Sequence, residues 1–428
     1  MHTAQLYALF LQSNGVTTDT RKLNPRTIFF ALSGARFNGN SFAAQALDAG
    51  CLAAVIDDPS HATDDNRLIL VPNVLESLQN LAAHHRQQMA AKVIGLTGSN
   101  GKTTSKELLR DVLAQKYKTY ATKGNLNNHI GVPLSLLEIT AEHEMAVIEM
   151  GANAQGEIAM LAEIAQPDYG FITNIGKAHL EGFGGIEGVK KGKGELFRYL
   201  RSNDRMVFVN AADPVLLELS EGLRRVLYGT DVYSPEVYIV ESSPLLTIGW
   251  SHQSYFKTAV HTKLTGDYNI GNIASAIAIG RYFGVDHEQI NVALENYTPD
   301  NNRSERRDSA NNQLILDAYN ANPTSMAHAL KSFATSTDAS KLCILGDMFE
   351  LGDAAPAEHA TIIKLVADLK LNAIFVGSHF KAQGQDRVLC FESTVALRAH
   401  LEQEHIKGQT ILLKGSRSMQ LEQLIDLL

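Results

Sequence analysis

The chain is poor in cysteine, with only Cys51, Cys343 and Cys390 in 428 residues. The three lie far apart beside apolar neighbours, so they read as small core hydrophobes in a reducing compartment. Neither a disulfide framework nor a zinc knuckle is indicated. A surplus of positive charge is missing too. Lysine plus arginine number 38 against 46 acidic residues, a formal charge of −8. That removes any general electrostatic reason to bind nucleic acid or an anionic membrane, while leaving room for a local basic site for a small anion. No run approaches the ~18 apolar residues of a membrane span, and residues 1–15 carry a short apolar patch without a cationic start or a small-residue cleavage site. These absences predict a cytoplasmic protein with no membrane insertion and no nucleic-acid partner. No short-period repeat, low-complexity tract or coiled coil is visible, and no interface signature stands out, so a monomer is expected.

What is present is sharper. Val93-Ile-Gly-Leu-Thr-Gly-Ser-Asn-Gly-Lys-Thr-Thr-Ser-Lys106 reads as a buried strand, a glycine-rich turn and a helix start. In such a loop, backbone N–H groups converge on phosphate oxygens and the helix N-terminus adds partial positive charge. Gly98, Ser99, Asn100, Gly101, Lys102, Thr103 and Thr104 would form this cradle, with Lys102 reaching the β and γ phosphates of ATP or GTP and the Thr103 hydroxyl holding Mg²⁺. The general pattern wants glycine five residues before Gly101, and Leu96 stands there, with Gly95 and Gly98 instead.

At about 150 residues per domain, the length suggests two or three domains. Residues 1–85 alternate short apolar runs (27–32, 53–56, 68–71) with a helical stretch at 41–49. A polar loop is expected at 57–67 and a helix at 74–91. Residues 86–298 alternate strand and helix: strands at 93–96, 145–150, 169–173 and 206–210, helices at 102–115, 156–165 and 187–201, then a strand-rich stretch at 226–265 and helices at 270–296. This rhythm predicts a parallel sheet that binds ligands at the carboxyl ends of its strands. Residues 299–428 repeat the theme with strands at 314–317, 341–345, 373–376 and 410–414. They resemble a dinucleotide-binding fold in rhythm but lack a Gly-x-Gly-x-x-Gly turn. Asn322-Pro323 reads as a helix cap followed by proline at the first helical position. The predicted fold class is α/β in three domains: a small N-terminal α/β domain, a central P-loop parallel-sheet domain and a C-terminal Rossmann-like domain.

Glu149 ends an apolar strand beside the phosphate loop, as a Mg²⁺ ligand or a solvated acid. His179 and Asn174 follow the next strand in a polar, glycine-rich loop that does not read as a helix start; a lone loop histidine is commonly a surface residue. Lys190, Lys191 and Lys193 form either a solvated basic edge or a neutralising group for an anionic substrate. Spacing does not choose among them.

Together these segments resemble the Mur ligases of peptidoglycan synthesis, nearly end to end. The resemblance rests on Thr18-Asp-Thr-Arg21, residues 31–39, the phosphate loop, Gly124-Asn-Leu-Asn-Asn128, Glu149-Met-Gly-Ala-Asn153, residues 178–184, Lys193-Gly-Glu-Leu-Phe197, Asp317-Ala-Tyr-Asn-Ala-Asn-Pro323, residues 345–352 and Lys414-Gly-Ser-Arg-Ser-Met419. It implies an ATP-dependent ligase that joins D-alanyl-D-alanine to UDP-N-acetylmuramoyl-tripeptide through an acyl phosphate. It also implies two Mg²⁺ ions and a CO₂-derived carbamate on Lys193, which returns Lys190 and Lys191 to the solvated reading. By the same resemblance, Lys102, Lys193 and His179 are catalytic, and Thr103, Glu149, His179 and carbamylated Lys193 hold metal. Asn272, Arg306 and Asp317 join the phosphate loop in gripping ATP. Asp19, Thr20, Arg21 and Asn38 sit at the UDP-sugar end, with Asn127 and Asn128 nearer the muramoyl part. Residues 1–85, 86–298 and 299–428 would then bind UDP-sugar, ATP, and dipeptide plus part of ATP.

Arg417 and Ser418, at an expected helix start, are assigned to the dipeptide carboxylate. Because an acyl phosphate hydrolyses in water, the C-terminal domain is expected to close over the site. The sequence departs from the family at His129, where Glu is usual, at Lys177, where Pro is usual, and at Asn301-Asn-Arg-Ser-Glu305, where a glycine is common. Rival readings are a sibling ligase, a folate polyglutamylating enzyme or a nucleotide-switched binding protein. The last would need an Asn-Lys-x-Asp guanine motif, which this chain lacks.

Overall fold

The computed structural model describes residues 2–35, 37–229, 232–299, 303–338, 340–384 and 388–428. Asn301 and Asn302, part of one departure from the family pattern, lie outside them. Four sheets organise the chain, three of them built mainly from parallel strands.

The first sheet joins Val16–Thr17, Ile28–Phe30, Ala53–Ile56 and Leu68–Leu70, all parallel. Its two central strands are fully buried, which explains their continuous apolar runs. The helix Val74–Gln88, capped by Asn73 accepting from the Glu76 N–H at 2.9 Å, fixes this unit to the next. Its buried Arg86 reaches Asp168 at 2.7 Å and the Ala165 carbonyl at 3.1 Å. His85 meets the Ile139 carbonyl at 2.8 Å.

The second sheet has six parallel strands in the order Arg224–Tyr228, Met206–Asn210, Tyr169–Ile172, Lys92–Thr97, Met145–Glu149, Thr119–Ala121. The strand before the phosphate loop therefore lies between the strands ending at Glu149 and Ile172, and all three carboxyl ends open on one edge. An antiparallel meander, Glu236–Glu241, Thr247–His252 and Tyr255–His261, follows. Its buried Trp250 donates to Asn291 at 2.8 Å on the helix His287–Asn296.

The last sheet runs Glu305–Asp308, Gln313–Leu316, Thr410–Lys414, Lys341–Gly346, Asn372–Val376, Cys390–Phe391, with only the first pairing antiparallel. The helix Pro323–Thr335 has Asn322 as its cap and proline in its first turn, as expected. Among the described residues, no helix is long and apolar enough to cross a membrane.

Three local expectations change. The helix expected over 187–201 is two helices, Ile186–Lys193 and Glu195–Ser202, joined at Gly194, whose bare backbone is a poor helix former. His179 does begin a helix, the single turn Leu180–Phe183, with its own φ at +52°. Arg417 and Ser418 sit in the three-residue 3₁₀ turn Arg417–Met419, with no α-helix after them to supply an anion-binding N-terminus.

Candidate active site

The carboxyl edge of the central sheet faces the C-terminal sheet across a cleft of about 720 Å³. The phosphate loop forms its floor. Gly98 and Gly101 have φ of +150° and +75°, and a Cβ on either would lie 1.9 Å from Thr173 Oγ1 or 2.3 Å from Asn272 Oδ1, so only glycine fits. The neighbouring strand's end holds the loop. The Ser99 and Asn100 N–H groups donate to the Asn174 carbonyl (3.0 Å) and side-chain oxygen (3.1 Å), and Thr173 Oγ1 donates to the Asn100 carbonyl at 2.6 Å. The helix Lys102–Leu113 then points its N-terminus into the cleft.

Lys102 Nζ donates to the Gly98 carbonyl at 2.8 Å. Burial lowers its pKa; Glu149 opposes the shift and the Arg303 charge adds to it.

Glu149 is buried, 1% exposed. It accepts from Thr103 Oγ1 at 3.1 Å and Asn127 Nδ2 at 2.8 Å, with Lys106 Nζ 3.7 Å away. A buried carboxylate beside a hydroxyl suits a hard cation. Among the described residues no cluster of three His, Cys, Asp or Glu side chains forms. His179 lines the same cleft.

Lys193 is fully buried. Its Nζ donates to the Ala152 carbonyl at 2.9 Å and lies 4.9 Å from the centre of the Phe183 ring. Burial first, then the Lys102 charge, pushes its pKa well below the ordinary lysine value. Both effects favour the neutral form of the amine over the charged one.

The C-terminal unit supplies the far wall. Asp317 pairs with the buried Lys414 at 2.5 Å, and Tyr319, Asn320, Asn322 and His328 line the cleft. Asn272 lines it as well and joins Ser105 at 3.0 Å to Asn269 at 2.8 Å. The two units are docked. Asn322 Nδ2 donates to Asn100 Oδ1 at 2.7 Å, Lys177 Nζ meets Glu358 at 2.5 Å, and the Lys177 N–H donates to Thr324 Oγ1 at 2.9 Å.

Arg306 is the chief correction. It lies outside the cleft, in an ion pair with Asp338 at 2.7 Å and a hydrogen bond to Gln313 at 2.5 Å. The physical reason is register: Arg306 belongs to an edge strand and stands opposite Ile315. Arg303, three residues earlier and before that strand begins, enters the cleft and lays its guanidinium 3.5 Å from the centre of the Tyr319 ring. Both arginines occur in one basic stretch, and no local signal separated them.

The other predicted residues divide. Asn127 and Asn128 line the cleft, as does His129. Asp19, Thr20, Arg21 and Asn38 do not: Asp19 caps the turn Thr20–Lys22 and pairs with exposed Arg21 at 2.8 Å, and Asn38 accepts from Ser33 and the Asn40 N–H, both at 2.9 Å. Arg417 lies 5.0 Å over the Tyr319 ring, whereas Ser418 faces a separate cavity of about 260 Å³.

Three family models match the chain. "Mur ligase family, catalytic domain" covers residues 12–90, "Mur ligase middle domain" residues 96–280, and "Mur ligase, glutamate ligase domain" residues 302–417. The UDP-N-acetylmuramoyl-tripeptide–D-alanyl-D-alanine ligase of Bacillus subtilis is 35% identical over 96% of this chain and 92% of its own length. The crystal structure of MurF from Acinetobacter baumannii superposes with a TM-score of 0.86 at 31% identity, covering 99% of this chain and 97% of that one. MurF ligase from Thermotoga maritima in complex with ADP shares the fold, with a TM-score of 0.84 at 24% identity over 98% and 97% of the two chains. With matches across all three of its units and 35% identity along nearly its whole length, this chain belongs to the Mur ligase family.

Proposed function

We propose that this protein is an ATP-dependent ligase that adds D-alanyl-D-alanine to UDP-N-acetylmuramoyl-tripeptide in the cytoplasm, acting as a monomer. The observation that carries the reading is the cleft itself, where a phosphate loop with its Lys102 and the buried carboxylate of Glu149 meet groups from a second, docked unit. Full-length likeness to a ligase of that name supports the substrate assignment.

The chemistry follows from charge. An oxygen of the tripeptide's terminal carboxylate attacks the γ-phosphorus of ATP, the bond to the β-bridging oxygen breaks, and ADP leaves an acyl phosphate. Both reactants are anions, so the loop N–H groups, Lys102 and Arg303 offset their repulsion and hold the attack in line. The dipeptide amine then attacks the acyl carbon, loses a proton and expels phosphate from a tetrahedral intermediate. Docking of the C-terminal unit excludes water from the acyl phosphate.

Thr103 and Glu149 would hold the nucleotide's Mg²⁺, and His179 with carbamylated Lys193 a second ion. Bound there, Mg²⁺ supplies neutralisation of phosphate charge. The carbamate forms when the neutral Lys193 amine adds to CO₂: one N–C bond is made and one proton released. Asn272, Asp317 and Arg303 grip the nucleotide. Asp19, Thr20, Arg21 and Asn38 bind the UDP end, Asn127 and Asn128 the muramoyl part, and Arg417 the dipeptide carboxylate. The division into 1–85, 86–298 and 299–428 goes with these three tasks.

The test is phosphate release from ATP and Mg²⁺ with the UDP-tripeptide, with and without D-alanyl-D-alanine, followed by mass spectrometry of the nucleotide-sugar. Release that needs both substrates and yields a pentapeptide is expected. No release with any tripeptide would overturn the proposal.

A further inference from the structure

The C-terminal unit also touches the central one beyond the phosphate loop and Lys177. After the strand Lys341–Gly346 the chain passes through a short segment anchored on three sides. The Asp347 carboxylate accepts the N–H groups of His379 and Phe380, both at 2.9 Å. The Met348 N–H donates to His359 Nε2 at 3.0 Å, and the Phe349 N–H to Ser416 Oγ at 2.9 Å. Glu350, next along, has φ of +62°, the left-handed region that non-glycine residues seldom occupy. Strain of this kind persists only where the surroundings impose it. Here it projects Glu350 across the interface. Its carbonyl accepts the Glu181 N–H at 3.2 Å, and its carboxylate lies against His179 Nδ1.

We propose that Glu350 is a positioning residue that orients His179 for divalent-cation binding, so that a ligand of the central unit is set only when the C-terminal unit is docked. The inference rests on the proposed reading of His179 as a metal ligand. A carboxylate accepting Nδ1–H fixes the tautomer with its lone pair on Nε2 and makes that nitrogen a better donor to a cation. Glu350 is the ion-pair partner of Nδ1, which has no other hydrogen-bond partner among the described residues, and no hydrogen bond engages Nε2 there. By linkage, a cation on His179 favours docking as much as docking favours the cation. Metal loading and exclusion of water thereby become one event.

The experiment is a titration of the protein and a non-hydrolysable ATP analogue with Mn²⁺, reading free Mn²⁺ by electron paramagnetic resonance. Glu350→Ala should weaken the weaker Mn²⁺ site roughly 10–100-fold, the usual effect of losing such a partner. Glu350→Gln, whose amide oxygen still accepts Nδ1–H, should retain most of the affinity. In a His179→Ala background, Glu350→Ala should change nothing further. If His179→Ala loses the site while Glu350→Ala binds like wild type, the role of Glu350 is wrong. If His179→Ala itself binds like wild type, the underlying ligand reading has failed instead. Lys177→Ala, which breaks another ion pair bridging the units without touching His179, separates docking from orientation. A loss there equal to that of Glu350→Ala would overturn the direct role.

Discussion

Arg303 and Arg306 are three residues apart and chemically identical, yet the structure gives them opposite work, so replacing each with alanine tests the geometry directly. Arg306 pairs with Asp338, whose side chain is 7% exposed and whose second oxygen is buried without a partner among the described residues. Burial pushes the Asp338 carboxyl up in pKa, but the hydrogen bond and charge of Arg306 more than offset this and hold it below its ordinary value. Removing Arg306 strands that charge, which costs about 3–5 kcal/mol in buried pairs. At roughly 2–4 °C per kcal/mol, the transition that includes the C-terminal unit should fall by about 10 °C. Affinity for an ATP analogue, measured by calorimetry well below that transition, should change less than about threefold, because Arg306 does not line the cleft. Arg303→Ala should do the reverse. Lost charge-assisted hydrogen bonds to phosphate are worth about 1.5–3 kcal/mol, or about 10–150-fold in Kd. Its stacking on Tyr319 contributes about 1 kcal/mol or less to stability. If Arg306→Ala loses nucleotide affinity at an unchanged thermal midpoint, or Arg303→Ala binds normally, the placement is refuted.

Three further outcomes are expected. Lys193→Ala should lose nearly all phosphate release, roughly 10²-fold or more, and regain part of it with added short carboxylates that stand in for the carbamate; a variant with wild-type rates would end that role. Gly101→Ala forces a Cβ to 2.3 Å from Asn272 Oδ1 at a φ of +75°, so ATP affinity should drop at least about fivefold through a strain of roughly 1–3 kcal/mol, and an unchanged Kd would show that the loop relaxes freely. His359 is buried and neutral: Nδ1 donates to the Ala355 carbonyl at 2.7 Å, Nε2 accepts from Met348, and burial lowers its pKa from 6.5. The unfolded chain therefore takes up a proton that the folded chain refuses, and stability falls as pH drops through 6.5. Thermal midpoints taken from about pH 7.5 to about pH 5.5 should fall less in His359→Gln than in wild type; equal falls would remove His359 as the cause.

Much of this protein is written locally. The phosphate loop is legible because its chemistry needs adjacent residues: glycines for positive φ, then Lys102 and Thr103 at the helix start. The same holds for the Asn322 cap with its following proline, and for buried strands such as Lys92–Thr97, whose apolar runs report burial on both faces. Strand and helix alternation likewise announces parallel sheets, since parallel neighbours require a crossover. What the chain does not announce is anything decided between units. Arg303 enters the cleft and Arg306 leaves it because an edge strand begins between them and pairs Arg306 with Ile315. Lys193 is distinguished from Lys190 by burial alone: Lys190 pairs at the surface with Glu218 at 2.7 Å, while Lys193 is sealed inside. Glu350 meets His179 across 171 residues of sequence, a contact with no spacing rule. Local conformation follows from dihedral preferences and short-range hydrogen bonds, whereas the partners of a long side chain depend on which sheets dock and in what register, and only the folded chain brings those surfaces together.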